Sequence, residues 1–132
     1  MSHFTKIKTK VTDIELLRKT LKALSINFTE ADANQKVTVK GWEKSNIEAD
    51  FSIDSGCSYG IAVSVKEKEL TFEADWWAIE TYTGITKESF LQKIEKQYAY
   101  ETVMDKIKSQ GYSIVEEEES KDEIKIVVRR WV

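Results

Sequence analysis

Ile47-Glu48-Ala49-Asp50-Phe51-Ser52-Ile53-Asp54 decides how the middle of this chain folds. Apolar and polar residues alternate along it with a period of two, the pattern of a strand with one buried face. The same alternation recurs around it. Ile61, Val63 and Val65 alternate with Ala62, Ser64 and Lys66, and Leu70, Phe72 and Ala74 with Thr71, Glu73 and Asp75. Upstream, Val37 and Val39 alternate with Thr38 and Lys40. Ser55-Gly56 and Glu67-Lys68 fall between the runs, where hairpin turns belong. Residues 26–75 therefore predict short strands in an antiparallel sheet with one face in water.

Helical patterns flank these strands. Thr12-Asp13-Ile14-Glu15 has the spacing of a capping box, with Val11 and Leu16 placed as a hydrophobic staple. Ile14, Leu17, Leu21 and Leu24 then make one apolar face, which predicts a helix over 12–24. A second helical region covers 86–109, opened by Thr86 as N-cap and closed near Gly111. Its pattern slips. Phe90, Leu91, Ile94 and Tyr98 share one side, while Tyr100, Val103, Met104 and Ile107 lie far around from them. Two apolar faces predict either a kink near 98–101 or burial on both sides, by the sheet and by a partner.

Ile7, Thr9 and Val11 alternate with Lys6, Lys8 and Lys10, which predicts an edge strand with a solvated lysine face. Residues 112–118 and 123–131 predict a last hairpin that turns at Ser120-Lys121-Asp122. An echo runs through the chain. Residues 12–42 and 90–131 both read helix, strand, turn, strand, and both end on tryptophan. This is either a degenerate α-β-β duplication or coincidence. The reading is an α+β fold, a mostly antiparallel sheet with the 12–24 and 86–109 helices packed on it, in one domain of residues 1–132.

Composition narrows the function classes. The 132 residues are 41% hydrophobic and 33% charged, which suits a globular chain and argues against disorder. No apolar run approaches the roughly 20 residues of a membrane helix, so no membrane insertion is expected. The opening lysines lack the apolar stretch of a secretory signal, and one cysteine makes no internal disulfide. A cytoplasmic location is the expectation. The net charge of −3 divides into +4 over residues 1–26, −6 over 27–85 and −1 over 86–132. Lys6, Lys8, Lys10, Arg18, Lys19 and Lys22 form a thin basic segment. A pI of about 5.3 argues against nucleic acid as the main partner, and a weak nucleic-acid binder through this segment is the third reading.

No catalytic constellation stands out. His3 and Cys57 are the only histidine and cysteine, and no third group orients them. There is no phosphate-loop or dinucleotide fingerprint. Carboxylates at Glu48, Asp50, Asp54, Glu73 and Asp75 fit a solvated sheet face better than a metal site, so neither metal nor cofactor is expected. The turn at 54–60, with Cys57 and Tyr59, together with 74–77 and a His3 folded over them, offers a second reading as a small-molecule or anion site.

Aromatic residues carry the strongest functional signal. Trp76 and Trp77 are adjacent, so in a strand one fills the core and the other is exposed, covered by a loop or in a contact, and a satellite core on the second sheet face is an equal alternative to an interface. Trp42 and Trp131 fall on nominally wet positions, and Arg129 and Arg130 immediately precede Trp131. Tryptophan, tyrosine and arginine dominate interface hot spots. Trp76, Trp77, Tyr98, Tyr100, Arg129 and Trp131 are the expected contact residues of a non-enzymatic interaction module. The expected partner is a protein, and a second copy of the chain is one candidate.

Four blocks add a resemblance. Met1-Ser2-His3-Phe4-Thr5-Lys6-Ile7-Lys8-Thr9-Lys10, Ala74-Asp75-Trp76-Trp77, Gln97-Tyr98-Ala99-Tyr100 and Val127-Val128-Arg129-Arg130-Trp131 resemble the "hypothetical chloroplast reading frame thirty-five" family of cyanobacteria and algal plastids. The likeness spans Met1 to Val132, although Cys57–Val65 departs from a pattern that is more Tyr-Asp-Ile-Gly-like. It implies a small soluble protein of the cytosol or plastid stroma and supplies no catalytic residues to carry over.

Overall fold

Five antiparallel strands form the main sheet in the order β1-β7-β6-β5-β2. They are β1 (Thr5–Lys8), β2 (Phe28–Glu30), β5 (Phe51–Ile53), β6 (Ile61–Lys66) and β7 (Glu69–Ala74). The structure is a computed structural model that describes residues 4–67, 69–121 and 123–130. Registers set the faces. Val63 lies opposite Phe51 on one neighbour and Phe72 on the other, so the alternating apolar residues of three strands meet on one side. Onto that side pack Val11, with Leu17 and Leu21 from α1 (Ile14–Ala23), Trp76 and Ile79 from α2 (Trp76–Thr83), and Phe90 and Ile94 from α3 (Lys87–Ser109). Each such side chain, fully buried, contributes on the order of 1.5–3 kcal/mol.

The opposite face is not simply wet. A two-stranded ribbon, β3 (Val37–Lys40) with β4 (Asn46–Ala49), packs Val39 and Ala49 against Ala62 of β6, with Phe4, Val37 and Ile47 around them. The run from Ile47 to Ile53, which alternates as one strand, therefore serves two sheets. It breaks at Asp50. The Asp50 carboxylate pairs with Lys36 and accepts from the Val65 amide at 2.8 Å, and its carbonyl accepts from the Ala31 amide at 3.0 Å. The Lys36 and Val65 bonds hold the Asp50 carboxyl below its usual range. Alternation is blind to such a corner, because both halves keep their period.

Three helix details differ from expectation. The cap of α1 is Asp13, not Thr12. Asp13 Oδ1 accepts from the Glu15 and Leu16 amides at 2.8 and 3.3 Å, while the Glu15 side chain turns away to pair with Arg18. The adjacent tryptophans begin a helix rather than extend β7. Asp75 caps α2, and Gly84, at φ 77°, ends it in the left-handed conformation glycine accepts most readily. Third, of the two alternatives for α3 the kink is not taken: from the expected Thr86 cap, in a capping box with Ser89, it runs unbroken for 23 residues.

The second apolar face of α3 is partly covered by the chain itself, with Val103 left 43% exposed. The hairpin of β8 (Tyr112–Glu119) and β9 (Ile124–Arg130) lies along it, and Ala99, Tyr100 and Val103 face Ile124 and Ile126 across a shallow groove. Lys96 fastens the hairpin turn, its Nζ donating to the Ser120 carbonyl at 2.6 Å and to Glu119 Oε1 at 3.1 Å. So no kink is needed to explain the two faces, and the hairpin takes the place of a partner over part of the second. The α-β-β echo does not extend to pairing. β8 and β9 pair with each other, whereas β2 pairs with β5 and β3 with β4.

Tyr100 ties the hairpin to α3. A hydrogen bond to Glu117 on β8, then burial, pushes its phenol from 10.0 up to about 12. The folded state therefore holds this proton more tightly than the unfolded chain does. The stabilisation is complete below pH 10 and is lost as pH rises through about 12. An NMR titration of the Tyr100 ring should give a midpoint well above the ordinary phenol value, and Glu117→Gln should lower it. An ordinary midpoint in the wild type would contradict this docking of the hairpin.

Candidate functional site: an aromatic patch beside an apolar cavity

The patch starts at the β3–β4 turn. Trp42–Lys44 is a single 3₁₀ turn in which Glu43 and Lys44 both have positive φ, 52° and 65°. Hairpin turns with two positive-φ centres normally use Asn-Gly, since side chains with a full Cβ are strained there by about 1–3 kcal/mol. This turn holds Trp42 against α2. The Trp42 amide donates to Asp75 Oδ2 at 3.0 Å, while Asp75 Oδ1 accepts from the Ala78 amide at 3.2 Å. One buried side chain thus caps a helix and anchors a hairpin turn. Gly41 leaves room for it. A Cβ there would stand 2.7 Å from the Phe4 ring and 3.3 Å from Asp75 Oδ2.

Four rings gather on this frame. Trp42 meets Trp77 edge-on at 5.7 Å between centroids, and Tyr82 at 6.2 Å and Tyr59 at 6.3 Å. Tyr59 and Tyr82 are 5.6 Å apart. Desolvation, then neighbouring Tyr82, raises the Tyr59 phenol above its ordinary value. Despite these contacts Trp77 is 49% exposed and Tyr82 57% exposed. Ring pairs of this kind contribute about 0.5–1.5 kcal/mol each beyond buried area. The patch is therefore apolar, open to solvent and held in place.

The other residues expected at a contact surface are dispersed. Trp76 is in the core against Phe90, at 5.5 Å, with its indole N–H unpaired. The Tyr98 hydroxyl accepts from the Asp13 amide at 3.0 Å and so braces the start of α1. Tyr100 sits under the hairpin. Arg129 is exposed on β9, a strand that also exposes Val127 and Val128. Trp131 and His3 lie outside the described residues. Trp42 and Tyr82 were missing from the expected set. Asp75 as cap and Gly84 as stop are the signals that would have placed 76–83 on a helix and Tyr82 near Trp77.

The 54–60 loop divides two features. Tyr59 joins the patch. Ser55 and Gly56 line a cavity of about 360 Å³ with Ile26, Ile61, Ile79, Ile85, Phe90 and Lys93. The loop does not present a free row of amides to an anion. Gly56 N–H donates to Asp54 Oδ1 at 2.9 Å and Cys57 N–H to Ser55 Oγ at 3.4 Å. Cys57 Sγ is 3.2 Å from that same hydroxyl. Among the described residues no three His, Cys, Asp or Glu side chains converge as metal ligands do.

Asp75 is the testable keystone. Asp75→Ala removes a cap and orphans the Trp42 amide, for an expected loss of about 2–4 kcal/mol in urea unfolding. Asp75→Asn, which keeps only one acceptor oxygen, should lose less. Near-UV circular dichroism of the tryptophans should weaken in both. Unchanged stability in the alanine variant would refute the bridging role.

Comparison with known proteins agrees with the resemblance drawn from the sequence. "Uncharacterized protein ycf35" of Cyanophora paradoxa is 34% identical over 134 aligned residues, covering 99% of this chain and 98% of that protein. Proteins of the same description from Guillardia theta and Pyropia yezoensis are 30% and 29% identical, each over 99% of this chain and 98% of their own length. No solved structure matches. The family described as "Protein of unknown function (DUF1257)" matches residues 20–128, and the chain belongs to that family.

Proposed function

We propose that this chain is a non-enzymatic protein-interaction or accessory module, and that its contact surface is the ring cluster of Trp42, Tyr59, Trp77 and Tyr82. One observation carries the reading. Trp77 and Tyr82 are about half exposed although every ring in the cluster is positioned by a neighbour. A surface of rigid rings loses little conformational entropy when a partner covers it, and tryptophan and tyrosine are the residues that dominate interface energetics. Trp77 remains from the set expected on sequence. Trp76, Tyr98 and Tyr100 serve the fold, and Arg129 with its exposed valine neighbours offers a secondary contact. No helix among the described residues is long and apolar enough to cross a membrane. The composition and the single cysteine fit a module working in the cytosol, or in the plastid stroma for a plastid-encoded chain.

Site-specific photocrosslinking tests this. A photoreactive phenylalanine at position 82 should trap a protein in the native host, and the same group at Lys66, on the far end of β6, should not. With the trapped protein purified, Trp77→Ala should weaken binding by at least about tenfold, the behaviour of a hot spot. No adduct at position 82 above the Lys66 control would remove the reading.

A further inference from the structure

The cavity beside the patch has a chemistry of its own. Its floor is buried and apolar: Ile61, Ile79 and Phe90 come from three different elements of the core. Ile26 and Ile85 form its apolar walls, and Ile85 is partly open to solvent. Its volume of about 360 Å³ is at the lower end of the roughly 300–1,000 Å³ range of ligand pockets.

The rim carries one cation, Lys93, and one carboxylate, Asp54, and the excess of positive charge lies in the groove beside it. Lys93, one turn before Gln97 on α3, has no carboxylate partner among the described residues. Asp54 is also on the rim, but its Oδ1 accepts from the Gly56 amide and is engaged within its own turn. Ser89 and Lys93 also line an adjoining groove of about 260 Å³ with Lys96, Lys121 and Glu119. There the one carboxylate, Glu119, is paired with Lys96, which leaves the excess positive. A cavity with an apolar floor and a free cation where it opens is complementary to an amphipathic anion.

We propose that this cavity binds a small amphipathic carboxylate, an alkyl or aryl acid whose apolar body lies on Ile61, Ile79 and Phe90 and whose carboxylate meets Lys93. The apolar part supplies affinity through area removed from water. The charge-assisted bond to Lys93 supplies orientation and discriminates the acid from its neutral analogue. The cavity uses none of the four rings of the aromatic patch, so its ligand chemistry is tested independently of the interaction reading.

Decanoate and decanol, both below micelle formation, are the probes. Titrated into the full chain, decanoate should shift the amide resonances of Ile26, Ser55, Ile79, Ile85 and Ser89. Lys93→Gln should weaken decanoate at least about tenfold and leave decanol unchanged, since only the charged bond is lost. Lys93 is exposed, so this variant should fold. Ile85→Trp, which fills the mouth, should block both probes, and Trp77→Ala should block neither. Absence of shifts at these residues in the wild type overturns the site. Equal decanoate affinity in wild type and Lys93→Gln overturns the assignment of a carboxylate.

Discussion

Two hydrogen bonds accepted by the Asp75 carboxylate, from the amides of Ala78 and Trp42, join the helix layer of this protein to its β3–β4 ribbon. The ribbon lies on one face of the main sheet and α2 on the other side of the chain reversal after β7. Asp75 is where those two layers meet, and it is almost completely buried. A buried acidic side chain is tolerable only when hydrogen-bonded, and here both of its oxygens have a backbone donor. The same geometry explains Gly41, the absence of whose side chain lets Phe4 and Asp75 close around the turn. It also explains why a strained turn is held. Glu43 and Lys44 occupy left-handed backbone because the Trp42 amide is fixed to Asp75 and its ring is wedged between Trp77, Tyr59 and Tyr82.

What could be read from the residues follows from how local each signal is. β6 and β7 alternate cleanly and follow each other closely in sequence, so their antiparallel pairing is legible from the residues alone. The apolar face of α1 and the Thr86 cap of α3 are equally local. Asp50 was opaque because a strand that changes sheets keeps its period through the corner. The β3–β4 turn was opaque for the opposite reason: Glu43-Lys44 lacks the glycine or asparagine that announces left-handed backbone. The Trp76-Trp77 pair shows a sound inference reached through the wrong element. Successive residues diverge by about 180° in a strand and about 100° in a helix, so either geometry separates a buried tryptophan from an exposed one. Only the helix brings Tyr82 back beside Trp42.

The long helix α3 shows how a mismatch in periodicity is resolved. Its first half faces the sheet through Phe90 and Ile94, and its second half turns Tyr100, Val103 and Ile107 elsewhere. A partner protein is one way to cover such a face. The chain uses its own C-terminal hairpin instead, fastened by Lys96 at the turn and by Tyr100 against Glu117. The hairpin accounts for part of that face, and the argument for a partner rests first on the aromatic rings and second on Arg129 with its valine neighbours. It also makes the hairpin a peripheral layer whose outer residues, Val115 beside the strand bulge and Val127 and Val128 on β9, remain in solvent.

α2 is the element that the two candidate sites share. Eight residues place Ile79 on the cavity floor and Trp77 and Tyr82 on the open patch, while Trp76 enters the core. The 54–60 loop repeats the division, with Ser55 and Gly56 toward the cavity and Tyr59 among the rings. A short helix held by a single buried cap and ended by a single glycine has few other constraints, so its position is set by what packs on each side. Cavity and patch share residues of one small, capped element. Their geometries are therefore fixed together by Asp75, and neither can shift without moving the residues that define the other.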